Sequence, residues 1–135
     1  MSGLVEEDGA VIILEYYARL DGAEPLTALE LVEPDVEFLI ALPGSEIRGG
    51  RRADLEDYIT GRPPVGRRHR PLRSSSDGDL EMVYGVVVEG DGRGTGSFSA
   101  VALLSPDKRV ARYQAFFHPT FGMFPLPGHD TGESA

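Results

Sequence analysis

The constraint that bears most on this chain is the order of its elements. An amphipathic helix comes first, then a short helix and a strand, a helix led by Gly49-Gly50, and finally hairpin-spaced segments rich in Val, Phe and Tyr. Helices followed by a run of strands is the pattern of an α+β domain, in which an antiparallel sheet buries one face against helices. A curved sheet wrapped over helices encloses a pocket, so this order speaks to architecture before chemistry.

Ala10, Ile13, Leu14, Tyr17 and Leu20 recur at helical spacing, which predicts a helix over residues 7–20 ended by Asp21-Gly22. Pro25 suits the first turn of a second, short helix that carries Leu26, Ala28, Leu29, Leu31 and Val32 and stops at Pro34. Val36, Phe38, Ile40 and Leu42 alternate with Glu37, Leu39 and Ala41, so a strand follows until Pro43-Gly44-Ser45 breaks it. Leu55, Tyr58 and Ile59 mark one face of a third helix, with Asp54, Glu56 and Asp57 toward its positive end and Gly61 and Pro63-Pro64 stopping it. From Arg67 onward, turn clusters at 77–79, 90–92 and 105–107 bound four extended segments. Residues 1–121 form one domain, and residues 122–135, with Pro125, Pro127, Gly128 and Gly132, have the composition of a flexible tail.

Composition narrows the function classes. A chain of 135 residues can build one sizeable core but not two, and 41% hydrophobic with 26% charged residues is ordinary globular usage. No apolar run approaches the roughly 20 residues that span a bilayer, and the acidic start lacks the basic flank of a signal peptide, so no membrane partner and a cytoplasmic location are expected. Without cysteine there are no disulfides, thiolate nucleophiles or cysteine metal sites. A net charge of -9 argues against a nucleic-acid partner, since phosphate binding needs clustered cations. Yet eight of the 13 basic residues, Arg48, Arg51, Arg52, Arg62, Arg67, Arg68, Arg70 and Arg73, share a stretch with only Asp54, Glu56 and Asp57. A local anion site and solvated arginines that pair with acidic surface are both open readings of that stretch.

Four groups of residues carry a resemblance to a known family. They are Tyr16-Tyr17-Ala18-Arg19-Leu20-Asp21-Gly22-Ala23-Glu24; Pro34-Asp35-Val36-Glu37-Phe38; Gly44-Ser45-Glu46 with Gly49-Gly50 and Leu55-Glu56-Asp57-Tyr58; and Arg109-Val110-Ala111-Arg112-Tyr113-Gln114-Ala115-Phe116-Phe117. In order and spacing they resemble the nuclear transport factor 2-like (NTF2-like) superfamily, which includes ketosteroid isomerases and SnoaL-type polyketide cyclases. The resemblance covers about residues 7–119. It implies a cone-shaped α+β fold, a curved, mixed and mostly antiparallel sheet on three N-terminal helices. It does not imply a reaction, because this fold carries enzymes, binding proteins and dimerisation modules.

The resemblance also assigns positions. It implies Tyr16 as the hydrogen-bonding tyrosine of the isomerases, whereas their base and acid fall at Ala41 and near Ser99 or Ala100, which cannot exchange a proton. The family pattern turns Ala111, Tyr113, Ala115 and Phe117 inward and Arg112, Gln114 and Phe116 outward. Strand alternation then groups Met82, Tyr84, Val86 and Val88 on one face, and Phe98, Ala100 and Ala102 on another, as an inward lining. With Tyr17, Phe38 and Tyr58, the residues Tyr84, Phe98 and Phe117 would line an apolar pocket for a small hydrophobic or aromatic molecule. The same aromatics can equally be core.

His69, at the start of a strand bordering that pocket, is the best candidate for proton transfer, because imidazole titrates nearest neutrality. Tyr16, His69 and Tyr113 are the candidate catalytic set. His118 reads as a strand-end residue and His129 lies in the tail. Asp35 and Glu37 share a strand face, but Asp35 at a helix–strand junction reads as a turn acid. The scattered histidines, and glycines at 92–96 set between strands rather than ahead of a helix, leave no metal site and no cofactor loop. Arg112, Gln114 and Phe116, with Val83, Val87, Val101 and Leu103, are expected to form an outer face that pairs with a second copy as a homodimer. The reading is a SnoaL-like protein with an apolar pocket and without the isomerase carboxylates. The alternative is a non-catalytic ligand-binding or assembly module, and enzyme status stays open.

Overall fold

The computed structural model describes residues 9–128. Its order is α1 (Ile12–Leu20), a 3₁₀ helix (Pro25–Leu31), β1 (Val32–Leu42), β2 (Ser45–Gly49), α2 (Arg52–Thr60), β3 (Arg68–Asp77), β4 (Leu80–Val88), β5 (Gly94–Leu104) and β6 (Val110–Pro119). The six strands form one sheet in the order β2-β1-β6-β5-β4-β3. Its neighbours are antiparallel except for the parallel pair β1 and β6, so the expected mixed, mostly antiparallel α+β architecture is what forms. Among the described residues no helix is long and apolar enough to cross a membrane.

The first helix is shorter than its periodicity predicts. Residues 7–8 lie outside the described residues, and helical structure starts at Ile12. The start is fixed from outside the helix. The buried Glu81 carboxylate on β4 accepts the backbone N–H groups of Val11, Ile12 and Ile13 at 3.1, 3.3 and 2.8 Å. These are donors that a helix start otherwise leaves unpaired, and the positive end of the helix favours the negative charge.

Strand β1 begins at Val32, four residues earlier than the alternation suggests, and Pro34 sits inside it. Pairing with β6 is irregular between Val32 and Glu37, so the missing Pro34 N–H falls where the ladder is already interrupted. After Leu42 the chain reverses through Pro43 and Gly44, whose φ of +77° is left-handed, and returns as β2, a strand the sequence reading passed over. Its burial is slight, so no hydrophobic alternation announces it.

One core cluster joins Ile13, Tyr16, Tyr17 and Leu20 of α1 to Val83 and Val87 of β4, Phe98, Ala100 and Ala102 of β5, and Tyr113 and Ala115 of β6. These residues define the helix side of the sheet. The expected lining of Met82, Tyr84, Val86 and Val88 is therefore corrected, as is the placement of Val83 and Val87 outside. The β4–β5 register sets Val83 opposite Ala100 and Gly85 opposite Phe98, so odd-numbered β4 residues share the inner face with Phe98 and Ala100. Alternation along a strand rich in valine on both faces does not say which parity is inside.

Tyr84, Val86 and Val88 are instead on the outer face, under the chain that follows β6. The Tyr84 hydroxyl accepts the Met123 N–H at 2.6 Å and its ring lies 6.0 Å from that of Phe124. Arg73 stands 4.7 Å above the Phe124 ring, and the Gly94 N–H donates to the Pro127 carbonyl at 2.6 Å. Residues 121–128 thus lie against β4 and β5, while residues 129–135, including His129, lie outside the described residues.

Candidate functional site

The core-facing stripe of α1 carries Ile13, Tyr16, Tyr17 and Leu20, all buried, and ends in Asp21, whose backbone N–H bonds the Tyr17 carbonyl at 3.0 Å. Asp21 lies four residues after Tyr17, so its carboxylate emerges on the tyrosine's side of the helix. There it meets the first residues of edge strand β3. The His69 backbone N–H donates to Asp21 Oδ2 at 2.5 Å, and His69 Nδ1 lies 3.2 Å from both carboxylate oxygens. The two side chains are 13% and 8% exposed, which shields the pair from water without burying it fully.

Aromatic rings hold this imidazole in place. The His69 ring lies 4.5 Å from the Tyr17 ring and meets Phe98 edge-on at 4.9 Å. Phe98 can sit there because of Gly85 on the neighbouring strand, where a Cβ would stand 2.8 Å from the Phe98 ring and 2.3 Å from the Arg70 carbonyl. The Tyr17 and Tyr113 hydroxyls bond each other, and the Tyr16 ring meets that of Tyr17 edge-on at 5.3 Å and that of Tyr113 at a tilt at 5.4 Å. Among the described residues the Tyr16 hydroxyl and His69 Nε2 have no hydrogen-bond partner.

Burial raises the ionisation of all three tyrosines well above the ordinary phenol value. In Tyr16 and Tyr113 mutual repulsion adds to burial, with Arg62 opposing; in Tyr17 the Tyr113 hydrogen bond opposes it. All three are phenols, not phenolates, near neutral pH and can therefore donate a hydrogen bond.

These groups open onto a cavity of about 960 Å³. Its walls include Tyr16, Tyr17, Tyr58, His69, Phe98, Tyr113 and Phe117, with Ile40 and Val87 as further apolar surface and Arg62 and Arg67 among the charged residues. Seven of the nine sequence-derived site residues are thus brought together, and both members of the Tyr16-Tyr17 pair face the same space. Two are not. Tyr84 is on the outer face for the register reason given above. Phe38 is a core residue that packs against Gly49 and borders a separate groove with Arg48, Leu103 and Arg112, because β1 reaches the cavity wall only from Ile40 onward.

Asp21 is the residue the sequence reading missed, taken only as part of a helix-ending Asp-Gly. Its signal was present, since an acid one turn beyond a core-facing tyrosine sits on the buried stripe of the helix. The neighbours Arg68 and Arg70 are exposed and point away from His69 along the strand alternation.

No protein-family model and no curated protein matches this chain. Solved structures do. A candidate ketosteroid isomerase from Kribbella flavida superimposes with a TM-score of 0.67 at 21% identity, over 84% of this chain and 80% of that one. TerC, co-crystallised with polyporic acid, gives a TM-score of 0.64 at 21% identity, over 79% of this chain and 88% of TerC. An NTF2-like protein of unknown function from Burkholderia pseudomallei gives 0.62 at 20% identity, over 79% and 88% of the respective chains. At such identities the likeness is one of fold, and the chemistry has to come from the residues in the cavity.

Proposed function

From an NTF2-like fold with an imidazole in its cavity wall backed by an acid, we propose that the protein is a proton-transferring enzyme acting on a small hydrophobic or aromatic molecule. The observation that carries this reading is the Asp21–His69 contact at the edge of the 960 Å³ cavity. Asp21 accepts from Nδ1–H, which fixes the tautomer and leaves Nε2 as the basic nitrogen. His69 is then the general base for a C–H next to a carbonyl, Asp21 is its positioning residue, and a phenol of the Tyr16, Tyr17 and Tyr113 cluster donates to the oxygen that gains charge. The proton returns from His69 at another carbon in an isomerisation, or the electron pair expels a leaving group in an elimination. Neither outcome uses a carboxylate at the positions where the resemblance puts those of the isomerases, Ala41 and Ser99 or Ala100.

A test needs no knowledge of the natural substrate. With 2-tetralone in D₂O as probe, proton NMR should show C–H exchange faster than in buffer containing equal imidazole. In His69→Gln that excess should vanish, while Tyr84→Phe retains it. Exchange no faster than imidazole, with His69→Gln unchanged, removes the enzyme reading and leaves a non-catalytic binding module.

The same proposal includes a homodimer through the outer face of β5 and β6. Phe116 and Leu103 are 47% and 36% exposed there, beside Gln114 and an Arg112 that pairs with Glu37. Light scattering at micromolar concentration should give twice the 14.6 kDa chain mass, and a lone monomer removes this part.

A further inference from the structure

Most of the central arginines are occupied by neighbouring groups or face solvent away from the cavity. Arg48 pairs with Glu46, Arg51 with Asp54, Arg52 donates to the Val32 carbonyl at 2.6 Å, and Arg73 covers Phe124. Arg68 and Arg70 face solvent. Arg62 and Arg67 are half-buried, line the cavity, and among the described residues have no carboxylate within 4.0 Å.

Arg62 is the more confined of the two. It follows α2 directly, and its Nη2 donates to the Leu20 carbonyl at 3.3 Å, one residue before Asp21. Its Nε is shielded from solvent, and so from the cavity, without a hydrogen-bond partner; that of Arg52 is the same, but Arg52 does not line the cavity. Its positive charge lowers the ionisation of Tyr16 and Tyr113 against the larger effect of burial, so it acts on the same tyrosine cluster. A guanidinium without a counter-ion is costly in a largely apolar wall, and the group that relieves it best is a carboxylate. The acids on the same wall do not serve: Asp54 takes the Gly50 N–H and Arg51, while Asp57 and Glu89 form no ion pair with either arginine.

We propose that Arg62, assisted by Arg67, anchors a carboxylate of the molecule that occupies this cavity, so that the substrate class is a hydrophobic or aromatic carboxylic acid. The inference rests on the reading of the cavity as a ligand site. It places the acid group at the Leu20–Arg62 end, with the apolar body against Phe98, Phe117, Ile40 and Val87.

Isothermal titration with 2-naphthoate and its neutral isostere 2-naphthamide tests it. The carboxylate should bind at least tenfold more tightly, and raising sodium chloride from about 0.05 to about 0.5 M should weaken the carboxylate alone. Arg62→Met should abolish the preference while leaving the amide within about twofold, and Arg62→Lys should restore part of it. Equal binding of the two probes, binding of neither, or a preference that survives in an Arg62→Met protein with an unchanged melting profile overturns the assignment. His69→Gln separates this inference from the enzymatic reading. Loss of tetralone exchange with the preference intact is the expected result in that variant, whereas equal binding of the two probes by the unsubstituted protein, with its tetralone exchange present, sinks the anchor alone.

Discussion

Both faces of strand β4 bury valines, and they do opposite things. On the inner face Val83 and Val87 join a core that α1 closes, and Gly85 makes room for the Phe98 ring that supports His69. On the outer face Val86 and Val88 are 1% and 0% exposed without belonging to that core, because residues 121–128 lie over this side. Burial therefore does not locate the site. What distinguishes the inner face is its paired polar groups, Asp21 with His69 and Tyr17 with Tyr113, held among aromatic rings.

Perturbing one face at a time sharpens this contrast. The largest effect is expected at the inner pair, where Asp21→Asn should lower the His69-dependent exchange of 2-tetralone by roughly 100-fold or more, as removal of a general-base partner does elsewhere. An unchanged rate would break the distinction between the faces. Next comes the anchor of α1. Glu81→Ala strands three backbone donors, and urea unfolding should show a loss of about 2–3 kcal/mol, with exchange falling only as far as the folded fraction does.

Tyrosine ionisation supplies a third test. Unfolded tyrosines titrate near pH 10, and burial holds Tyr16, Tyr17 and Tyr113 protonated beyond that. Stability from this cluster is thus complete below about pH 10 and declines above it, where the unfolded chain releases protons that the folded one keeps. Urea midpoints measured between pH 8 and 11 should fall on the alkaline side, and less steeply in Tyr113→Phe. The smallest effect belongs to the outer face: Tyr84→Phe should cost about 1 kcal/mol through its lost bond to Met123, with exchange unaltered.

Much of the fold was legible because it depends on periodicity. The α1 stripe, the turns at 77–79, 90–92 and 105–107, and the inward parity of Tyr113, Ala115 and Phe117 all follow from local spacing and the family resemblance. What escaped depends on register between distant segments. The parity of β4 is settled by its pairing with β5, β2 is defined by its hydrogen bonds to β1, and the Asp21–His69 contact joins residues 48 positions apart. Within the site the aromatic wall was therefore readable and the acid that completes it was not. The arginine stretch shows the same limit, since only three-dimensional placement separates Arg62 and Arg67 from the arginines already occupied.

A single carboxylate, that of Asp21, grips both the main-chain amide and the ring of His69. One oxygen is a structural rivet between helix end and sheet edge, and the same group tunes a side chain. Evolution cannot adjust the second task at this position without disturbing the first, so rate-altering changes in such a protein should accumulate among the surrounding rings before they touch the acid.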